Sequence, residues 1–343
     1  MLYLSTRNSQ ETYTAARVLT EARAPDGGLF VPFFTSAFPG EDLRSLSSMK
    51  FNEAVARMMN IQFQTRLTEH DVRLCVGKSP VRLAQLNNRL LVGECWHNLH
   101  GSYSRLVHNL AWLIGADTVH SAGSWTEVGI GICVLFGIFA ELMGRGLVSF
   151  EKKADVSAVS GDFSMVMSCW YARAWGLPIE NIVCCCNENN GVWNLFSNGA
   201  LRTDGVSIPT ATPDADICVP VSLERLIHGC GGVKETADYV EKCRLGATYY
   251  PEDPVLSRLQ EGMYVSVVSS RRMLDTIPNA HATHGYLLSP YSALAYAGLM
   301  DFRAKRGGGR AAILLADRSP LAEPETVAAA LGISEAELKD KFV

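Results

Sequence analysis

Residues 155–190 read DVSAVSGDFSMVMSCWYARAWGLPIENIVCCCNENN, and they spell out a strand, a loop, a helix and a second strand. Residues 156–159 form a short apolar run of the length expected for a buried strand. Ser160-Gly161-Asp162 supplies a tight turn and an N-cap. From 163 to 175 apolar residues recur at helical spacing, and Gly176-Leu177-Pro178 ends the helix. Residues 179–186 are a second apolar strand that closes on the polar loop Asn187-Glu188-Asn189-Asn190. Two parallel strands joined by a helix put the first loop at the carboxyl edge of a sheet, where α/β folds place ligands. The helix N-terminus there favours an anion such as phosphate.

Composition narrows the function. The chain has 343 residues, 48% of them hydrophobic and 19% charged, enough to bury one large core or two medium ones. A net charge of −4 and a pI near 6.1, without a basic cluster, argue against a nucleic-acid partner. The ten cysteines include no CxxC pair, and the start of the chain does not read as a signal peptide. Free thiols in a reducing cytoplasm are therefore expected. Cys184-Cys185-Cys186, at the end of an apolar strand, reads as three small buried hydrophobes. Residues 128–143, VGIGICVLFGIFAELM, are strongly apolar. They are short for a membrane span and interrupted by glycines and Glu141, so a buried helix is expected and no membrane partner.

The amino-terminal region reads YLSTRNSQ, then a helical pattern over about 12–21, then Ala24-Pro25-Asp26-Gly27-Gly28-Leu29-Phe30-Val31-Pro32. Asp followed by two glycines is a turn that admits positive φ. This opening resembles the amino-terminal region of threonine synthase, a family dependent on pyridoxal phosphate (PLP) and built on the tryptophan-synthase-β-like fold, fold type II. A helical pattern over 51–65, then Ser79-Pro80-Val81-Arg82-Leu83 and Leu90-Leu91-Val92-Gly93-Glu94, continue the resemblance. It implies an α/β architecture: an open, mostly parallel twisted sheet with helices on both faces.

The resemblance also shows where the chain departs from the family. Threonine synthases carry Glu-Leu-Phe-His-Gly-Pro-Thr-x-Ala-Phe-Lys-Asp, whose lysine forms the Schiff base. Here Glu94-Cys95-Trp96-His97-Asn98-Leu99-His100-Gly101-Ser102-Tyr103-Ser104-Arg105 stands in its place. Counted without a gap from Glu94, Ser104 occupies the lysine position, and no lysine lies between Lys78 and Lys152. A hydroxyl cannot form an aldimine. The family's Ser-Gly-Asn-Phe-Gly phosphate loop corresponds to Ser160-Gly161-Asp162-Phe163-Ser164. A carboxylate about 4 Å from a phosphate costs about 4 kcal/mol at an effective dielectric near 20, so Asp162 is read as a helix cap. Ser289-Pro290-Tyr291-Ser292-Ala293 matches the family's Asp-Pro-His-Thr-Ala with the histidine replaced. Ala316-Asp317-Arg318-Ser319-Pro320 matches Gly-Thr-Ala-His-Pro, with Asp317 at the position facing the pyridine nitrogen.

Length departs as well. Only 56 positions separate Ser104 from Ser160, too few for the family's small domain between them. His120-Ser121-Ala122-Gly123-Ser124 follows the helix expected over 105–114 and resembles a segment that lies beyond that domain. The expected organisation is an amino-terminal region over 1–90 and a fold type II core over 91–343, with the small domain largely deleted around 115–120. Further along, Ala211-Thr212-Pro213-Asp214-Ala215-Asp216-Ile217 resembles the family's Ser-x-Ala-Met-Asp-Ile. Helices are expected over 222–228 and 234–244, with the glycines at 229, 231 and 232 as a stop between them. A strand is expected over 263–268, a helix over 290–305 and a strand over 310–315. Ser334-Glu335-Ala336-Glu337 is a capping box opening a last helix.

Four concerted changes at one site imply a threonine-synthase-like protein that has lost PLP catalysis and acts as a binding or interaction homologue with no cofactor. One alternative is a lyase acting on a phospho-amino acid that holds PLP non-covalently. Another is new PLP-independent chemistry in the old cleft. For that, Ser104 near His97 or His100 would imitate a nucleophile–base pair; Asp162 and Asp317 are further candidates, and a metal is not expected. The expected partners are a small anionic or amino-acid ligand, and a second copy or another protein on an apolar face uncovered by the missing domain.

Overall fold

The computed structural model of the protein describes residues 1–34, 40–98, 101–119 and 121–342. His100 and His120 lie outside the described residues. The central sheet has six strands in the order Met263–Val267, Ile179–Cys186, Ala154–Val159, Ala311–Ala316, Leu90–Glu94 and Arg82–Asn87. Neighbours pair in parallel except the last pair, which is antiparallel. Its edge strand, Arg82–Asn87, comes from the amino-terminal side of residue 90.

Both faces of the sheet are covered, so its strands are apolar on both sides. The alternation of a strand divides the core in two. Cys184 and Cys186 join the larger cluster while Val183 and Cys185 join the smaller. The three thiols, like the other cysteines, are free. The larger cluster packs under helices Phe51–Phe63, Tyr103–Leu113, Trp125–Gly144 and Ser164–Ala174, and the smaller under Ser270–His284, Pro290–Arg306 and Pro324–Leu331.

Helix Trp125–Gly144 is the spine of the larger cluster. It is 20 residues long, longer than the apolar run suggested, and so long and apolar enough to cross a membrane. Yet 78% of its most apolar window is buried inside the chain. Its glycines allow close packing: a Cβ on Gly137 would lie 2.6 Å from the Phe51 ring, and one on Gly131 would meet Ser168 Oγ at 2.3 Å and Tyr103 Oη at 2.9 Å.

The amino-terminal strands Leu2–Ser5, Tyr13–Thr14 and Phe30–Pro32 form a small antiparallel sheet. Tyr13–Thr14 is extended where a helix was expected to begin, and the helix covers only Ala15–Thr20. In the turn before Phe30, Gly27 takes φ +78°, and a Cβ on Gly28 would collide with Ser5 Oγ. The sheet is tied to the body through buried polar groups. Tyr3 donates to the Gln62 carbonyl at 2.9 Å. The fully buried Arg225 guanidinium donates to Phe30 O, Ser222 Oγ and Gly123 O.

The two helices expected around the glycines form within Leu223–Leu245, separated by a break at Gly232, where φ is 72° and ψ is −168°. The Ser334–Glu337 capping box forms, with Glu337 accepting the Ser334 N–H at 2.8 Å. Helices Tyr103–Leu113 and Trp125–Gly144 are joined directly through residues 114–124.

Candidate active-site cleft

A cleft of about 540 Å³ opens at the carboxyl ends of strands Leu90–Glu94, Ala154–Val159 and Ala311–Ala316. Parallel sheets place ligands at this edge. One wall is the turn after Val159. Phe163 takes φ +74° with its ring fully buried, a conformation costly for a bulky side chain and held here by its surroundings. Its N–H bonds back to Ser160 O at 2.7 Å. Asp162 then turns its carboxylate onto the helix behind it. Oδ1 accepts the Ser164 N–H at 2.9 Å and Oδ2 accepts the Ser164 hydroxyl at 2.6 Å.

Glu127, in the first turn of helix Trp125–Gly144, lines the same space. Burial, and then the neighbouring Asp162 charge, push its carboxyl up to about 8 against the opposing pull of Arg225. Tyr103, at the start of helix Tyr103–Leu113, lines the cleft beside it. Burial, then Glu127, raise its phenol well above the usual range, so it stays protonated.

The opposite wall is organised by Arg318. Its guanidinium bonds Asp317 at 2.9 Å, Asp214 at 2.8 Å and Glu323 at 3.0 Å, and lies 3.8 Å from the centre of the Tyr291 ring. Burial opposes its charge, but Asp317 and the other carboxylates outweigh that and hold it protonated. The Asp214 N–H donates to Tyr291 Oη at 3.0 Å, fastening the 211–217 segment over this wall. That segment is anchored by Asp216, which accepts from Thr210, Asn187 and Asn189.

The sequence-derived candidates separate in space. Ser104, Gly161, Asp162 and Asp317 line the cleft, while Ser160 and Ser164 sit in the turn behind it. His97 does not line the cleft. Its Nε2 bonds the fully buried Glu94 at 2.6 Å and its ring stacks on Trp96 at 4.0 Å. Arg82 and Tyr286 complete the shell around the same carboxylate. Among the described residues no hydrogen bond joins Ser104 to a histidine, and His100 lies outside them. Sequence reasoning did not assign Tyr103, Glu127, Asp214, Tyr291 or Arg318. All but Glu127 lie in segments quoted above, but nothing in a linear pattern says that they share one cleft.

This donor set does not fit an aldimine-forming, phosphate-bearing cofactor. Among the described residues no lysine lines the cleft. The backbone N–H groups of Phe163 and Ser164, which would cradle a phosphate, are already taken by Ser160 O and Asp162 Oδ1. Asp162 adds negative charge where an anion would sit.

Comparison with known proteins supplies the relationship. Residues 2–79 match the family model for the threonine synthase N terminus. Threonine synthase-like 1 of Homo sapiens is 25% identical over 161 residues, covering 46% of this chain and 22% of that protein. The chain thus spans under a quarter of the length of that relative. The crystal structure of threonine synthase from yeast superposes with a TM-score of 0.83 at 16% identity, covering 96% of this chain and 90% of that one. That of PLP-bound threonine synthase from Brucella melitensis superposes at 0.78 with 17% identity, covering 97% and 92%. The matched amino terminus and the sequence relatives make this chain similar to threonine synthases, and it shares their fold type II architecture.

Proposed function

We propose that this threonine-synthase-like chain has given up PLP catalysis and serves as a binding protein that uses the retained cleft for a small molecule. One observation carries the reading: the Asp162 carboxylate occupies the Ser164 amide and hydroxyl, at the turn that a cofactor phosphate needs. The serine at the lysine position supports it, because an exposed hydroxyl offers no route to an aldimine. So does the short connection between helices Tyr103–Leu113 and Trp125–Gly144, which this reading takes as the place of a lost substrate-closing domain. The free cysteines are consistent with a reducing compartment such as the cytoplasm.

The test is equilibrium dialysis of the purified protein against PLP, read by absorbance. The reading expects a protein colourless before and after dialysis and unable to turn over a phosphorylated homoserine. A protein that retains one equivalent of PLP, or that turns this substrate over, supports instead the lyase that holds PLP non-covalently.

A further inference from the structure

We propose that Arg318 anchors the ligand of the cleft, a small carboxylate, and that the Asp214 side chain is a built-in competitor for the same guanidinium; this rests on the reading of the cleft as a PLP-free binding site. Among the described residues Arg318 is the one cation that lines the cleft. Each edge of its guanidinium has a different holder. Nε donates to Asp317 at 2.9 Å, Nη1 to Glu323 at 3.0 Å and Nη2 to Asp214 at 2.8 Å. A guanidinium has five N–H donors, so these three bonds leave two without a partner among the described residues.

The three holders are not equivalent. Asp317 directly follows the central strand Ala311–Ala316, and Glu323 is the N-cap residue of helix Pro324–Leu331. Both belong to the frame, with side chains 33% and 23% exposed. They aim the guanidinium, and the Tyr291 ring, 3.8 Å away, sets its plane. Asp214 reaches across from the 211–217 segment, and its side chain is 69% exposed. An ion pair with so exposed a partner is weak.

Asp214 can release Arg318 by rotating its side chain alone. Its backbone N–H stays on Tyr291 Oη at 3.0 Å, and the Ala215 N–H stays on Thr212 O at 2.9 Å. Asp216 keeps its bonds from Thr210, Asn187 and Asn189. Exchanging one carboxylate for another leaves the charge around Arg318 unchanged, so the frame acids Asp317 and Glu323 do not bar the ligand. The planar guanidinium fork suits a carboxylate. Val107, Val119, Met165 and Leu315 give the cleft an apolar side for a short alkyl chain.

Titration of the full chain with sodium butyrate, by calorimetry or NMR at constant ionic strength, tests this, with n-butylammonium chloride as the control for apolar contact alone. The expected result is saturable butyrate binding and none by butylammonium. Asp214→Ala should tighten butyrate binding about two- to fivefold, the strength of an exposed ion pair. Arg318→Gln should weaken it about tenfold or more, the loss of a hydrogen bond to a charged group. The gain in Asp214→Ala is the decisive sign, because a merely structural clasp gives none, and it stands even where Arg318→Gln does not fold. The proposal is overturned by absence of saturable butyrate binding or by butylammonium binding as tightly. It is equally overturned by an affinity that Asp214→Ala leaves unchanged or lowers, or by a folded Arg318→Gln that binds butyrate undiminished. If PLP is also excluded, only this inference falls. If PLP is retained, the reading of the cleft falls with it.

Discussion

Asp162 holds both the backbone N–H and the hydroxyl of Ser164, at 2.9 and 2.6 Å. The amino terminus of helix Ser164–Ala174 is thereby satisfied from within. An intramolecular carboxylate here does locally what an external anion would do, favouring the positive end of the helix dipole. It also brings a fixed negative charge next to Glu127 on a neighbouring helix, and this pairing governs how the fold responds to pH.

Glu127 titrates near 4.5 when unfolded and near 8 in the folded chain, through burial and then Asp162. A carboxyl whose folded pKa is raised contributes stability below the unfolded value and loses it as pH rises through the folded one. Urea denaturation from pH 5 to pH 9 should therefore show the midpoint falling over this window. Glu127→Gln should flatten the decline. An identical slope in the variant would remove Glu127 as its cause.

Glu94 is fully buried and accepts from Arg82, His97 and Tyr286. Glu94→Ala should cost about 3 kcal/mol, since it strands a buried phenol and two cationic or polar partners. His97→Gln should cost about 1 kcal/mol or less and leave ligand binding in the cleft unchanged. A large loss of binding with normal stability in His97→Gln would restore the histidine to the site.

Gly137→Ala sets two effects against each other. Alanine favours the helix by about 1 kcal/mol, but its methyl would sit 2.6 Å from the Phe51 ring, itself buried at 2% exposure. Overpacking costs about 1–3 kcal/mol, so the variant should be destabilised overall, as chemical denaturation would reveal. A stabilised variant would mean that helices Phe51–Phe63 and Trp125–Gly144 can part without penalty.

Much of the fold is legible in the chain because its strands are short apolar runs and its helices have clear stops. Residues 179–186 form a strand to the residue, and the Asp26-Gly27-Gly28 turn and the Ser334 capping box form as their chemistry requires. Helix Ser270–His284 is not legible in the same way, because Pro278 interrupts its pattern and its buried face is only Met273, Ile277 and Ala280. Tyr13–Thr14 became a strand because pairing with Leu2 and Tyr3 outweighs local helical spacing. The cleft was legible only in part. Resemblance pointed to Ser104, Asp162 and Asp317, but Tyr103, Glu127 and Asp162 line one cleft only because two helices and the turn before a third pack together. The Arg318 cluster likewise joins Asp214 and Arg318, 104 positions apart.

The most direct test of the account is borohydride reduction of the protein after incubation with PLP and removal of free cofactor, followed by peptide mass mapping. The account predicts no pyridoxyl mass on any peptide that lines the cleft and no cofactor retained by the intact protein. One equivalent of pyridoxyl group mapped to a cleft residue would contradict it.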